Sequence, residues 1–144
     1  MPSWSEFEAE APALAERVRA RLDAHKHKTI ATVRRDGSPR ISGTESRIAD
    51  GELWIGSMWD ALKARDLQRD PRFALHSGSG DPPDWTGDAK VAGRAEEVTE
   101  PEATSHRFRL DVTELVVTSL GDPPDHIVIE SWHEGRGVTR LTRT

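Results

Sequence analysis

The 144-residue chain has no cysteine, no long apolar run and no excess of basic charge. Without thiols it has no disulfides, no thiolate nucleophile and no thiolate zinc site, and the composition fits a cytoplasmic setting. A bilayer-spanning helix takes about 20 consecutive apolar residues, and no stretch approaches that length. The opening Met1-Pro2-Ser3-Trp4-Ser5-Glu6 is acidic and carries no apolar signal region. A formal charge of −5 argues against a nucleic-acid partner, which needs a basic face. Arginine and lysine do thicken between residues 63 and 72, which suits a small anionic ligand.

What is present is a soluble composition, 35% hydrophobic and 31% charged, of a length that suits one domain with its own core. Phe7, Ala11, Leu14, Val18 and Leu22 recur at helical spacing, which predicts a helix over 5–24. Ser5 is its expected N-cap, with Glu8 completing a capping box, and Pro12 shifts the start toward Ala13. The period then changes. Residues 28–34, 40–48 and 52–57 read as strands joined by Asp36-Gly37 and Asp50-Gly51, both strong hairpin signals, so this part is an antiparallel meander. Asp60 to Arg69 reads as a helix capped by Asp60 and stopped by Pro71. Strands follow over 72–77, 88–98 (with Gly93 as a bulge), 108–119, 126–132 and 138–142. A short helix over 100–106 is expected from Thr99 and Pro101. The loops GSGDPPD and GDPPD separate strands. Turn signals at short intervals, without strand–helix–strand repeats, favour a mainly β protein with accessory helices, closed as an antiparallel barrel of six to seven strands. The domain reading is an N-terminal helical segment (1–24) followed by the barrel (25–144), one domain overall.

Three stretches carry a family pattern: Ala31-Thr-Val-Arg-Arg-Asp-Gly-Ser-Pro-Arg40, Asp50-Gly-Glu-Leu-Trp-Ile-Gly-Ser57 and Lys63-Ala-Arg-Asp-Leu-Gln-Arg-Asp-Pro71. Their order resembles the pyridoxamine 5′-phosphate oxidase-like proteins over roughly residues 25–142. Glu130-Ser-Trp132, Gly135 and Arg140-Leu141 resemble the family's C-terminal end. The resemblance implies an FMN-binding split β-barrel, a homodimer with a cofactor groove between the two chains, and hydride or electron transfer to a small-molecule substrate. As alternatives it admits the deazaflavin F420 as cofactor, or a non-enzymatic cofactor-binding protein or empty dimeric scaffold. The histidine of the family's closing Arg-Leu-His-Asp-Arg is missing from Arg140-Leu-Thr-Arg143, which argues against pyridoxamine phosphate oxidation itself.

The resemblance implies that Lys63 meets the cofactor phosphate at the start of a helix, where backbone N–H groups also favour an anion. Ala61-Leu62 stands where the family often has Ser-Arg, so a bidentate guanidinium grip is missing there, and Arg40 is the residue expected to compensate. Gly56, Ser57 and Met58 end a strand with small residues that let backbone approach a flat ring. Ser42, Gly43 and Thr44 can meet the ring's polar edge, with Glu45 unplaced. Trp59 and Trp132 are candidates to wall the cofactor, Trp132 being equally a core residue, and Trp54 is assigned to the core. Arg136 and Arg140 are anion candidates. His76, at the end of a strand near the expected groove, is the histidine singled out as a candidate. No general acid, base or nucleophile is assigned, and no metal is expected, because Lys26 and Lys28 flank His27 and no carboxylate has ligand spacing.

Overall fold

The computed structural model describes residues 2–144. The chain runs through α1 (Trp4–Glu10), α2 (Pro12–Asp23), β1 (His27–Val33), β2 (Pro39–Ala49), β3 (Glu52–Met58), α3 (Leu62–Arg69), β4 (Arg72–His76), β5 (Gly87–Glu97), β6 (Ser105–Leu120), β7 (Ile127–His133) and β8 (Gly137–Arg143). The strands form one antiparallel sheet in the order β3-β2-β1-β4-β5-β6-β7-β8, and a β3–β6 pairing closes the first six into a barrel. Six strands thus close the barrel, within the six to seven expected of it, and β7 and β8 extend the sheet beyond it.

Strand β6 makes this architecture possible. It is 16 residues long and keeps β5 along one edge. On its other edge Ser105–Leu110 pairs with β3, and Glu114–Leu120 pairs with β7. The first half closes the barrel and the second half carries the β7–β8 hairpin away from it. The register of β5 on β6 shifts between Ala92 and Gly93, as the glycine predicts. A Cβ at Gly93 would collide with the Asp111 carbonyl oxygen, so the bulge needs glycine.

The N-terminal segment folds as two helices. Ala11 (φ −134°, ψ 64°) breaks the run, and Pro12 opens α2, where a missing N–H costs nothing. The expected cap at Ser5 is corrected: the Ser3 hydroxyl accepts the Glu6 N–H at 3.2 Å. The Ser5 backbone N–H donates instead to Gly51 O at 3.0 Å, tying α1 to the β2–β3 hairpin. The inward faces of both helices join the barrel core, with Trp4, Phe7, Leu14, Val18 and Leu22 buried in the same cluster as Leu53, Phe108, Leu110 and Leu115. Trp132 belongs to it too, edge-on to Phe7 at 5.1 Å between ring centroids.

Two further expectations are corrected. Residues 100–106 do not form a helix, because Glu102 takes a left-handed φ of 62° and β6 already begins at Ser105, paired with Met58. Pairing to β3 overrides the local helix signals of Thr99 and Pro101. Asp60 does not cap α3: it sits at φ 61° with its carboxylate on Arg65, and Ala61 occupies the cap position. No helix among the described residues is long and apolar enough to cross a membrane.

Candidate functional site: a groove where the barrel splits

The pairing of β2 with β3 ends at Ser46↔Ile55. Beyond that point β1 continues to hold β2 through Glu45 and back to Pro39, and β6 continues to hold β3 out to Met58. The two strands therefore part, and a groove of about 750 Å³ opens between Gly43–Glu45 and Gly56–Met58. Its size falls within the range of small-molecule sites, about 300–1,000 Å³.

Two glycines keep the groove walls flat. A Cβ on Gly43 would meet nothing within 4 Å, and one on Gly56 would only touch the His106 carbonyl oxygen at 3.8 Å. Packing within the chain therefore forces glycine at neither position. What their absent side chains leave is open space over exposed backbone, as a planar ring requires. Ser57 and Thr44 are buried at the groove wall, with their hydroxyls on nearby carbonyls, Met58 O at 3.0 Å and Glu45 O at 3.2 Å.

The groove carries a basic edge. Lys63, in the first turn of α3, reaches across the opening and donates from Nζ to Gly43 O at 2.8 Å. Burial lowers its pKa, and its only polar partner among the described residues is that neutral carbonyl. Arg107 lies with its guanidinium 3.8 Å from the Trp54 ring centroid, held also by Glu100 at 2.9 Å. Arg47, directly across the sheet from Trp54, completes the basic lining, and Glu45 is the one carboxylate among the described residues that line the groove. No side chain caps α3; Ala64 and Arg65 N–H donate to the Ala61 carbonyl at 3.0 and 3.1 Å, which leaves the Leu62 and Lys63 N–H groups available to an anion.

Behind this edge, α3 is fastened by one buried carboxylate. Asp66 accepts from Arg40 Nε at 2.7 Å, Thr32 Oγ1 at 2.8 Å and Arg69 Nη2 at 3.0 Å. The turn before α3 is held by His106. Its Nε2 accepts the Asp60 N–H at 3.0 Å, its Nδ1 meets Glu97 Oε2 at 2.6 Å, and Trp59 stacks on its face at 4.6 Å. With Nε2 accepting, the ring proton sits on Nδ1, directed to the carboxylate. Burial pushes the Glu97 pKa up, but hydrogen bonds from His106 and Gln68 outweigh it and hold the group below its usual value.

Of the residues singled out in the sequence, Gly43, Thr44, Gly56, Ser57, Met58 and Lys63 come together in the groove, with Glu45 beside them. Arg40 does not: its guanidinium is committed to Asp66. Ser42 is half-buried on β2 and does not line the groove. Trp132 is 1% exposed in the core. Arg136 folds back in the β7–β8 turn onto Ser131 Oγ at 2.9 Å. His76 turns its Nδ1 to the Ser77 carbonyl at 2.6 Å. Trp54, assigned to the core, instead faces outward as the platform for Arg107. Sequence reasoning missed Arg47, Arg107 and His106. Arg47 shares the outward parity of Gly43 and Glu45 on β2, so strand alternation exposes it. Arg107 and His106 enter the site only through the β3–β6 pairing, which no local pattern announces.

The family model described as pyridoxamine 5′-phosphate oxidase matches residues 14–130. No curated protein matches the chain. Among solved structures, a conserved hypothetical protein, Rv2991 of Mycobacterium tuberculosis, is 22% identical with a TM-score of 0.61, over 69% of this chain and 81% of that one. A pyridoxamine 5′-phosphate oxidase-related, FMN-binding protein of Nostoc punctiforme is 11% identical with a TM-score of 0.68, over 93% and 96% of the two chains. A protein named F420 reductase is 20% identical with a TM-score of 0.54, over 69% and 94%. At these identities the likeness is one of fold.

Proposed function

The chain belongs to the pyridoxamine 5′-phosphate oxidase family, and from that premise we propose that it is an oxidoreductase that holds a phosphorylated flavin-type cofactor, FMN, in the groove between β2 and β3. The observation that carries this reading is Lys63: a half-buried ammonium whose only polar contact among the described residues is a carbonyl, at the mouth of a flat-walled opening. A phosphate at this edge would meet Lys63 and the Leu62 and Lys63 N–H groups, while Arg47 and Arg107 line the groove toward its closed end. Gly43, Gly56 and Ser57 would let backbone groups lie against the ring and its hydroxyl-bearing chain. The bound cofactor would supply hydride or electron transfer, and the chain's own residues bind, orient and shield it, so no general base is required of them. The substrate is a small molecule of unassigned class.

We assign the working unit as a homodimer. Ile41, Met58, Trp59 and Leu62 are exposed, at 74%, 82%, 64% and 56%, around the groove and the start of α3. Large apolar side chains grouped this way mark an interface, and a second copy seated there would roof the groove.

F420 is the second reading. Ala61 and Leu62 put neither a hydroxyl nor a guanidinium beside Lys63, so the phosphate grip at α3 is thinner than FMN would be given by a Ser-Arg pair. Purified protein mixed with FMN or F420 and freed of excess ligand separates the readings by its visible spectrum. Retained FMN absorbance supports the first, retained F420 alone the second. Retention of neither leaves a scaffold that binds no flavin-type ring and overturns both.

A further inference from the structure

Another face of α3, presented by Leu62, Arg65, Asp66 and Arg69 at helical spacing, lines a second cleft of about 530 Å³ together with Arg35 from the β1–β2 loop and Arg40 from β2. Lys63 lies outside it, in the groove. Arg40 and Arg69 both pair with the buried Asp66, which one of them alone would balance in charge. Arg65 is bound by Asp60, an exposed pair that solvent screens. Arg35 has no ion-pair partner among the described residues. Four guanidinium groups set against the carboxylates of Asp66 and Asp60 leave a formal surplus of two positive charges, on a chain whose net charge is −5. Arg65 and Arg69 also stand four apart on one helix face, a like-charge arrangement that destabilises a helix. Fastening α3 does not need this surplus: Thr32, Arg40 and Arg69 already satisfy Asp66.

Arg40 spends its Nε on Asp66, and Arg69 spends its Nη2 on Asp66 and Val33 O. Their remaining N–H groups have no protein partner among the described residues. Planar forks of this kind match the oxygens of phosphate in pairs. We infer that this cleft is a second anion site that takes a diphosphate group, separate from the cofactor groove. The diphosphate can come as free pyrophosphate or as the phosphoryl end of a nucleoside diphosphate.

Calorimetric titration of the full chain with pyrophosphate, at ionic strength held constant with chloride, tests this. Saturable binding is expected, weakened at least tenfold in Arg35→Ala/Arg65→Ala and unchanged in Lys63→Ala. Near-UV circular dichroism checks that the double variant is folded; if it is not, Arg35→Ala alone, on the loop, is expected to weaken binding by severalfold. A parallel titration with ADP distinguishes the sources, tighter binding pointing to a nucleotide and equal binding to the bare diphosphate. No binding beyond that of chloride, wild-type affinity in the arginine variants, or loss of binding in Lys63→Ala would each overturn the site, the last because the anion would then sit in the groove. All titrations are run at saturating FMN, which keeps the groove's own phosphate seat at Lys63 from contributing to the signal.

Discussion

Replacing Asp66 with Asn should separate α3 from the barrel without emptying any space. The carboxylate is 2% exposed and accepts three hydrogen bonds, two of them from guanidinium groups. Removing one partner of a buried ion pair costs about 3–5 kcal/mol, because the other charge is left uncompensated. Arg40 and Arg69 keep 19% and 33% side-chain exposure, so water recovers part of that loss. The low end, about 3 kcal/mol, is the expected cost. For a chain of this size that lowers the melting temperature by roughly 10 °C. Burial pushes the Asp66 pKa up, but hydrogen bonds from Arg40, Thr32 and Arg69 outweigh it, and the carboxyl titrates below its usual range. A depressed acid stabilises the fold above its unfolded-state pKa, near 3.9, and loses that contribution as the pH falls through the folded value. The gap between wild type and Asp66→Asn, measured by urea unfolding, should therefore be constant from pH 8 to 5 and close under more acidic conditions. A variant within about 0.5 kcal/mol of wild type at pH 7, the range of an ordinary surface substitution, would refute the clamp. So would a gap that widened on acidification.

Three other outcomes follow from the packing. Gly93→Ala should destabilise by at least 1–3 kcal/mol, roughly the cost of overpacking, because its Cβ must displace the Asp111 carbonyl; thermal unfolding would report it. Trp132→Ala should cost about 3–5 kcal/mol by cavity formation, while a milder Trp132→Phe, still folded, should leave cofactor affinity within twofold; a large loss of affinity with the fold intact would move Trp132 into the site. His106→Phe keeps the ring against Trp59 but removes the acceptor for the Asp60 N–H, so the turn before α3 should loosen. Faster amide exchange at residues 58–62 would show it, and wild-type protection would mean that the stack alone holds the turn.

Much of the fold could be read from periodicity. The Asp36-Gly37 and Asp50-Gly51 turns, the β1–β2–β3 meander and the Gly93 bulge all rest on contacts between neighbours in the chain or on a residue with one conformational use. The failures share a cause. The helix expected at 100–106 obeyed local rules, but the long-range pairing of Ser105 with Met58 took those residues into β6. Trp54 looked like core by residue type, yet the β3 pleat turns it outward, where Arg107 covers it. Arg40 was expected at the cofactor groove because nothing in the sequence announced that Asp66, 26 residues later, would bury itself against it and hold it outside that groove. Lys63 was legible because the strand end, the helix start and the lysine lie within ten residues of one another. The rest of the groove's basic edge comes from β2 and β6, and only the closed barrel brings those strands together.

The central claim is that the split between β2 and β3 holds a phosphorylated ring through Lys63. Titration of wild-type and Lys63→Ala protein with FMN, followed by quenching of flavin fluorescence, tests it most directly. Saturable binding by wild type is expected, and at least tenfold weaker binding by the variant, both remaining folded by circular dichroism. Equal affinity in the two proteins would contradict it.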